Sequence, residues 1–306
     1  GAITQAMARE CKARGVSIMT NADVARVIVQ PHRGRPRATG IALADGRVIE
    51  AHAVAANVGP RVLFERMVDA SVLDDDFRER IRGMRTGSGS FRLNLALSEL
   101  PDFTCAPGTH AQAHHGAGIL FAPSLRYMER AYFDARSREH TPGWSREPIV
   151  ELNIGSTLDD TLAPPGKHVA SVFCQHFDPA LREDWDRHKP QAVEAIFDVI
   201  ARYAPNFRQS VLAVQALSPM DLERMFGLID GDIFHGALQL NQLWAARPVL
   251  GHGDYRMPID GLYLCGSGAH PGGGVTGVPG MNAAREITKD ARRSRLKVWR
   301  APRRRG

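Results

Sequence analysis

The residues best suited to chemistry lie in one run near the carboxyl end, Gly261 to Glu286, GLYLCGSGAHPGGGVTGVPGMNAARE. Leu262 to Cys265 is apolar and reads as a strand. It feeds a loop with seven glycines between Gly266 and Gly280, and a helical segment is expected to begin near Asn282. Glycine has no Cβ, so such a loop adopts φ > 0 and brings bare backbone close to a neighbour. Successive N–H groups at a helix start then favour phosphate or another polar oxygen. The arrangement reads as a cofactor cradle on an α/β sheet, against the plainer alternative of a glycine-rich surface loop that binds nothing. Gly272, Gly274 and Gly277 satisfy G-x-G-x-x-G, but they stand seven residues past the strand, outside a first βα turn, and no ribose-binding acid follows. Lys and Ser/Thr are missing from the places a P-loop requires, so nucleoside triphosphate hydrolysis has no support.

Other polar clusters carry less chemistry. His110 and His114 have i, i+4 spacing in HAQAHHGAG, beside His115, but no Cys or H-E-x-x-H glutamate accompanies them. A loop or pocket lining is expected there, and no metal site. The acids Asp74, Asp75 and Asp76 read as a solvated surface turn. His235 either lines a cavity or is a hydrogen-bonded structural residue, and the second reading is favoured. Cys11, Cys105, Cys174 and Cys265 are far apart and form no C-x-x-C pair, so a dithiol mechanism is unsupported and free, packed thiols are expected.

The elements that must position the loop follow from periodicity. Ile3, Ala6, Met7 and Cys11 share a helical face that Gly15 would end. Val16 to Met19 and Val24 to Gln30 read as strands, Gly40 to Leu43 pairs with Arg47 to Ala51 through Asp45-Gly46, and Val54 to Asn57 adds a strand. Gly59-Pro60 starts a helix with Val62, Leu63 and Met67 on its apolar face. Phe91, Leu93, Leu95 and Leu97 alternate with Arg92, Asn94 and Ala96, a half-buried strand. Ile149 to Ile154 and His168 to Gln175 are further strands, Lys189 to Tyr203 a helix, and Met220 to Phe226 a helical turn.

With 306 residues and 43% hydrophobic content, the chain can bury a sizeable core. No apolar run approaches the roughly 20 residues of a spanning helix, and no signal peptide is visible. The net charge of +6 is concentrated at one end: Lys289 to Gly306 holds nine basic residues and one acid, against 30 basic and 32 acidic before it. That distribution argues against a nucleic-acid partner and for a solvated, partly disordered tail, because Trp299 alone provides no stacking platform.

The glycine run resembles the C-terminal flavin-contacting signature of FAD-dependent amine oxidase and phytoene desaturase-type oxidoreductases. GAITQAMARECKARGVSI, GIALADGRVIEAHAVAANVGP and MDLERMFGLIDGDIFHGALQLNQLWAARP are similar to the phytoene dehydrogenase-like branch of that family. The resemblance implies an α/β fold: a partial FAD/NAD(P)-binding, glutathione reductase-like domain lacking its N-terminal dinucleotide unit, interrupted by an α+β substrate domain. Residues 1–70 and 251–290 would form the first, 71–250 the second, and 291–306 a basic tail. The family's opening G-x-G-x-x-G unit is absent from the first hundred residues, so the chain is expected to be the C-terminal half of a longer flavoprotein.

The implied cofactor is FAD. Gly266, Ser267 and Gly268 would occupy its ribityl and pyrophosphate side, and Gly273, Gly274, Val275, Thr276, Gly277, Val278, Pro279 and Gly280 its isoalloxazine side. His270, Pro271 and Gly272 lie near it within the loop, and the Val27 backbone would pass the adenine. Amine oxidase relatives often have Asp where Ser267 stands, so one strong ribityl hydrogen bond is weakened. The implied activity is a dehydrogenase or desaturase acting on an apolar or amphipathic small molecule, with no side chain singled out as catalytic base. A non-catalytic regulatory or interaction protein retaining the flavoprotein scaffold is the alternative. A cytoplasmic location is expected, or the mitochondrial matrix for a eukaryotic protein, with peripheral membrane contact left open.

Overall fold

The computed structural model describes residues 1–300, with side chains through residue 293. The chain divides into two compact units, the first made of 1–82, 244–270 and 276–306 and the second of 83–243 and 271–275.

The first unit opens with α1 (Ala2–Ala13), which buries none of its residues and ends before Gly15 at φ +79°. Val16 to Met19 form no strand, contrary to the periodicity. A strand needs a hydrogen-bonding neighbour, and among the described residues none runs beside this segment. Next come β1 (Val24–His32) and β2 (Arg35–Leu43), antiparallel with Val27 opposite Ile41. Arg33 and Gly34 join them, both at positive φ, as a tight hairpin turn matched to strand twist demands. Asp45-Gly46 leads to β3 (Val48–Glu50), where Asp45 Oδ1 accepts from the Arg47 N–H at 3.0 Å. After β4 (Val54–Ala56), Gly59 and Pro60 open α2 (Pro60–Val62), which continues as a π-helical turn through Met67. The three acids are exposed, as expected of solvated charge, but they open a helix instead of a turn: Asp74 Oδ1 caps the Phe77 N–H at 2.8 Å, and Asp75 and Asp76 fill the first turn of α3 (Asp75–Arg82), where negative charge complements the helix dipole.

The second unit is built on a five-stranded antiparallel sheet. Its β5 (Ser90–Leu97) buries Phe91, Leu93, Leu95 and Leu97, each worth about 2 kcal/mol of apolar burial. A one-residue slip would expose all four, so the alternation sets the register. The opposite face is polar: Arg92 Nη2 donates to Ser171 Oγ at 2.8 Å and Asn94 Nδ2 to Gln215 Oε1 at 2.9 Å. Chain order then gives β6 (Ile119–Phe121), α4 (Leu125–Ser137), β7 (Trp144–Asn153), β8 (His168–Phe177) and α5 (Trp185–Ala201). They are followed by α6 (Phe207–Ser210), β9 (Val211–Leu217) and α7 (Pro219–Phe226). Strand order is β6-β7-β8-β5-β9, and α4 and α5 pack on β7. The core joins the buried β5 residues to Val150, Leu152, Val172, Trp185 and Ile196.

The chain returns to the first unit with β10 (Leu262–Leu264), which pairs in parallel with β4, Leu262 opposite Val54. The last element is α8 (Val278–Arg300). It starts four residues before the expected Asn282, because Pro279, with φ preset and no N–H to lose, fits a first helical turn. The expected basic tail is therefore helical from Lys289 to Arg300, and its last residues, 301–306, lie outside the described residues. No described helix is long and apolar enough to cross a membrane.

Candidate functional site

Strand β10 delivers the glycine run at the carboxyl end of the β4–β10 pair, where the Cys265 N–H donates to the Ala56 carbonyl at 2.8 Å. Burial pushes the Cys265 thiol above its usual range, so it stays protonated and is no nucleophile. The chain then turns tightly, with the Ala269 N–H donating to the Gly266 carbonyl at 3.1 Å. Two glycines here answer to protein neighbours. A Cβ on Gly266, at φ +80°, would fall 1.6 Å from Asn57 Oδ1, and one on Gly268 would fall 2.6 Å from Cδ of buried Pro60.

Carbonyls of this turn are held from behind. Arg247, fully buried, donates from Nε at 2.9 Å and Nη2 at 2.7 Å to the Ser267 carbonyl. Tyr255 donates its hydroxyl to the His270 carbonyl at 2.8 Å and accepts from Asn282 Nδ2 on α8 at 2.8 Å. The neighbouring Arg256 ties the same helix down through Glu286 at 2.7 Å and Asp290 at 2.8 Å. That guanidinium, with the Tyr263 hydroxyl, holds the Asp290 carboxyl below its ordinary range, while burial and Asp290 push Tyr263 up to about 12.

Beyond the turn the surroundings change. His270 Nδ1 is buried and has no hydrogen-bond partner among the described residues, a costly state for a polar atom. Around Gly277, at φ +72°, and Gly280, an added Cβ would meet no atom of the described residues within 4 Å. At the start of α8 the Val278 N–H donates to Thr276 Oγ1 at 3.3 Å, Pro279 has no N–H, and the Met281 N–H donates to the Gly277 carbonyl at 3.0 Å. Gly280 is therefore the first-turn residue whose N–H has no acceptor among the described residues, at the positive end of the helix dipole.

The expected site residues are thus distributed as follows. Gly266, Ser267, Gly268, His270, Thr276, Gly277, Val278, Pro279 and Gly280 belong to the first unit, the last three inside α8 instead of a loop. Pro271, Gly272, Gly273, Gly274 and Val275 group with the second unit, where Gly272, Gly274 and Val275 take positive φ. Val27 is buried in β1, an edge strand of the β1-β2-β3 sheet, so its outer backbone faces no strand among the described residues. Sequence reading missed Arg247, Tyr255 and Asn282. The signal for Arg247 was a charged residue inside the apolar run LWAARPVL.

The other histidines and the thiols form no catalytic cluster among the described residues. His115 is buried, its Nε2 2.9 Å from the Pro101 carbonyl and its Nδ1 accepting from the Gln112 N–H, and its ring lies 4.1 Å from that of His114. His235 sits in a turn with its N–H on the Asp232 carbonyl. All four cysteines are free, and no group of three metal-ligating side chains exists among the described residues.

Comparison with known proteins gives a consistent relationship. No protein-family model matches the chain. It is 42% identical over 297 residues to the mouse pyridine nucleotide-disulfide oxidoreductase domain-containing protein 2, covering 95% of this chain and 50% of that protein. A lycopene-forming phytoene desaturase from a Paracoccus strain is 28% identical over 273 residues, covering 88% of this chain and 50% of the relative. Among solved structures, a Methanosarcina mazei oxidoreductase superposes with a TM-score of 0.53 at 17% identity, over 91% of this chain and 51% of that one. A putrescine oxidase variant gives 0.51 at 15% identity, over 94% and 52%. The structural likenesses show a shared fold. The chain belongs with the phytoene desaturase-like oxidoreductases that include pyridine nucleotide-disulfide oxidoreductase domain-containing protein 2, and it spans about half the length of the curated relatives it matches.

Proposed function

We propose that this chain carries the isoalloxazine-contacting part of an FAD-dependent oxidoreductase of dehydrogenase or desaturase type. Its first unit would be the partial glutathione reductase-like cofactor domain and its second the inserted substrate domain. The observation that carries the reading is the start of α8: open space over Gly277 and Gly280 next to the Gly280 N–H, which has no acceptor among the described residues. FAD fits what is present, because a flat ring system needs bare backbone beside it and a donor aimed at its polar edge. When bound, the flavin supplies hydride acceptance.

The chain's own residues have separable tasks under this reading. Gly266, Ser267 and Gly268 lie along the ribityl and pyrophosphate side, where Ser267 offers a hydroxyl. Gly277 admits the ring, and the Gly280 N–H with the α8 dipole favours negative charge on the pyrimidine edge. The His270 imidazole offers a buried ring nitrogen still in need of a partner. On the second unit's sheet, a cleft of about 490 Å³ lined by Leu162, Val169, Ala213 and Val214 beside Asn94 and Gln215 supports an apolar or amphipathic substrate. From such a substrate the reaction removes a hydride and a proton across a C–C or C–N bond.

The test is direct binding. This chain, and the full-length product of its gene, are titrated with FAD and followed by flavin fluorescence and melting temperature. Ligand at one hundred times its dissociation constant stabilises the folded state by about 2.7 kcal/mol. A saturable fluorescence change with a rising melting temperature is expected. No flavin band and no thermal shift in either protein would leave the non-catalytic scaffold as the surviving reading.

A further inference from the structure

We propose that Arg247 is a positioning residue that fixes which edge of the Ser267–Gly268 peptide faces the cofactor; this rests on the FAD reading above. The buried guanidinium places two donors, Nε and Nη2, on one carbonyl oxygen. A trans peptide points its C=O and N–H in opposite directions. Drawing the Ser267 carbonyl toward Arg247 therefore sends the Gly268 N–H to the other side.

The neighbouring carbonyls are committed in the same way. Gly266 accepts from the Ala269 N–H, and His270 accepts from Tyr255, itself braced by Asn282. With the oxygens of Gly266, Ser267 and His270 engaged by the protein, the Ser267–Gly268 peptide is left to present its amide edge, the arrangement that attracts anionic or electron-rich oxygen. A buried cation against the Ser267 oxygen also polarises that peptide and strengthens Gly268 as a donor.

The location explains why a side chain is needed for this. Glycine flanks Ser267 on both sides, at 266 and 268, so the backbone itself offers little resistance to rotation of the peptide plane. A flipped plane would put a carbonyl oxygen where the cofactor's phosphate and ribityl oxygens approach. Keeping a guanidinium out of water carries a desolvation cost that a purely apolar side chain at this place would avoid.

Arg247→Met, Arg247→Lys and Tyr255→Phe are compared with the parent in the full-length protein. Two readouts are taken: the carbonyl and amide chemical shifts of Ser267 and Gly268 without cofactor, and the FAD dissociation constant by fluorescence. Arg247→Met should shift both signals and weaken FAD at least tenfold. Arg247→Lys, which keeps one donor, should recover part of the loss, and Tyr255→Phe should weaken FAD severalfold. If Arg247→Met does not fold, the Lys and Phe variants carry the test on the same two readouts. Shifted peptide signals with parental FAD affinity would overturn the role of Arg247 while leaving the flavin reading intact. A parent that binds no FAD overturns both.

Discussion

Two pairs of glycines in the same run are glycines for opposite reasons. Gly266 and Gly268 are crowded, their missing side chains demanded by Asn57 and Pro60 of the chain itself. Gly277 and Gly280 are exposed, and a Cβ added at either would meet no described atom within 4 Å. The first pair is part of how the turn after β10 packs; the second leaves room for something else. A glycine motif read as a single cradle is therefore two structures in series, and substitution separates them.

Gly268→Ala should have the largest effect on folding. The added methyl meets the ring of Pro60, which is buried and conformationally locked, so the overlap must be relieved by backbone movement at a cost of about 3 kcal/mol. Gly266 is more forgiving in one respect, since Asn57 is exposed and can rotate away, although its left-handed backbone still resists a side chain. Denaturant unfolding of Gly268→Ala without FAD checks the size, and a midpoint equal to the parent's would show that Pro60 yields easily.

Gly277→Val should rank next. It meets no neighbour, but a β-branched residue at φ +72° is strained, by roughly 2 kcal/mol. The same side chain would fill the space assigned to the ring. Flavin content is expected to fall more than stability does, in contrast to Gly268→Ala, where the loss of folding comes first. Flavin-to-protein ratios measured beside unfolding midpoints distinguish the two, and full flavin occupancy in Gly277→Val would place the cofactor elsewhere.

How much of this could be read from residues alone depended on whether the cause was local. The hairpin at Asp45-Gly46 and the alternation of Phe91 to Leu97 are local, and both appear as read. Val16 to Met19 have a strand's composition, but a strand exists only with a partner, which composition does not supply. The acids at 74 to 76 are solvated charge as their composition suggests, but the cap that Asp74 places on the Phe77 amide depends on a helix starting just there, which a run of acids alone does not announce. At the glycine run, the letters announced close approach without saying to what. That Gly266 faces Asn57, 209 positions earlier, and that Arg247 reaches the Ser267 carbonyl, is set by the β4–β10 pairing and the fold around it.

Gly280→Ala has the smallest expected effect on stability and the most informative sign. Gly280 has neither a crowded neighbour nor a positive φ, so nothing in the chain asks for glycine there. Inside a helix, glycine is less favourable than alanine by up to about 1 kcal/mol, less in a first turn. Without cofactor the variant should therefore melt at the parent's temperature or up to about 2 °C above it. With FAD the order should reverse, because the methyl stands beside the first-turn amide that has no acceptor among the described residues, and affinity should fall about tenfold, or about 1.4 kcal/mol. A residue that stabilises the empty protein and weakens the filled one identifies space kept for a ligand, since packing, strain and helix propensity all act on both forms alike. If the alanine variant binds FAD as tightly as the parent, the start of α8 does not face the flavin, and the glycine at 280 has no explanation in the cofactor.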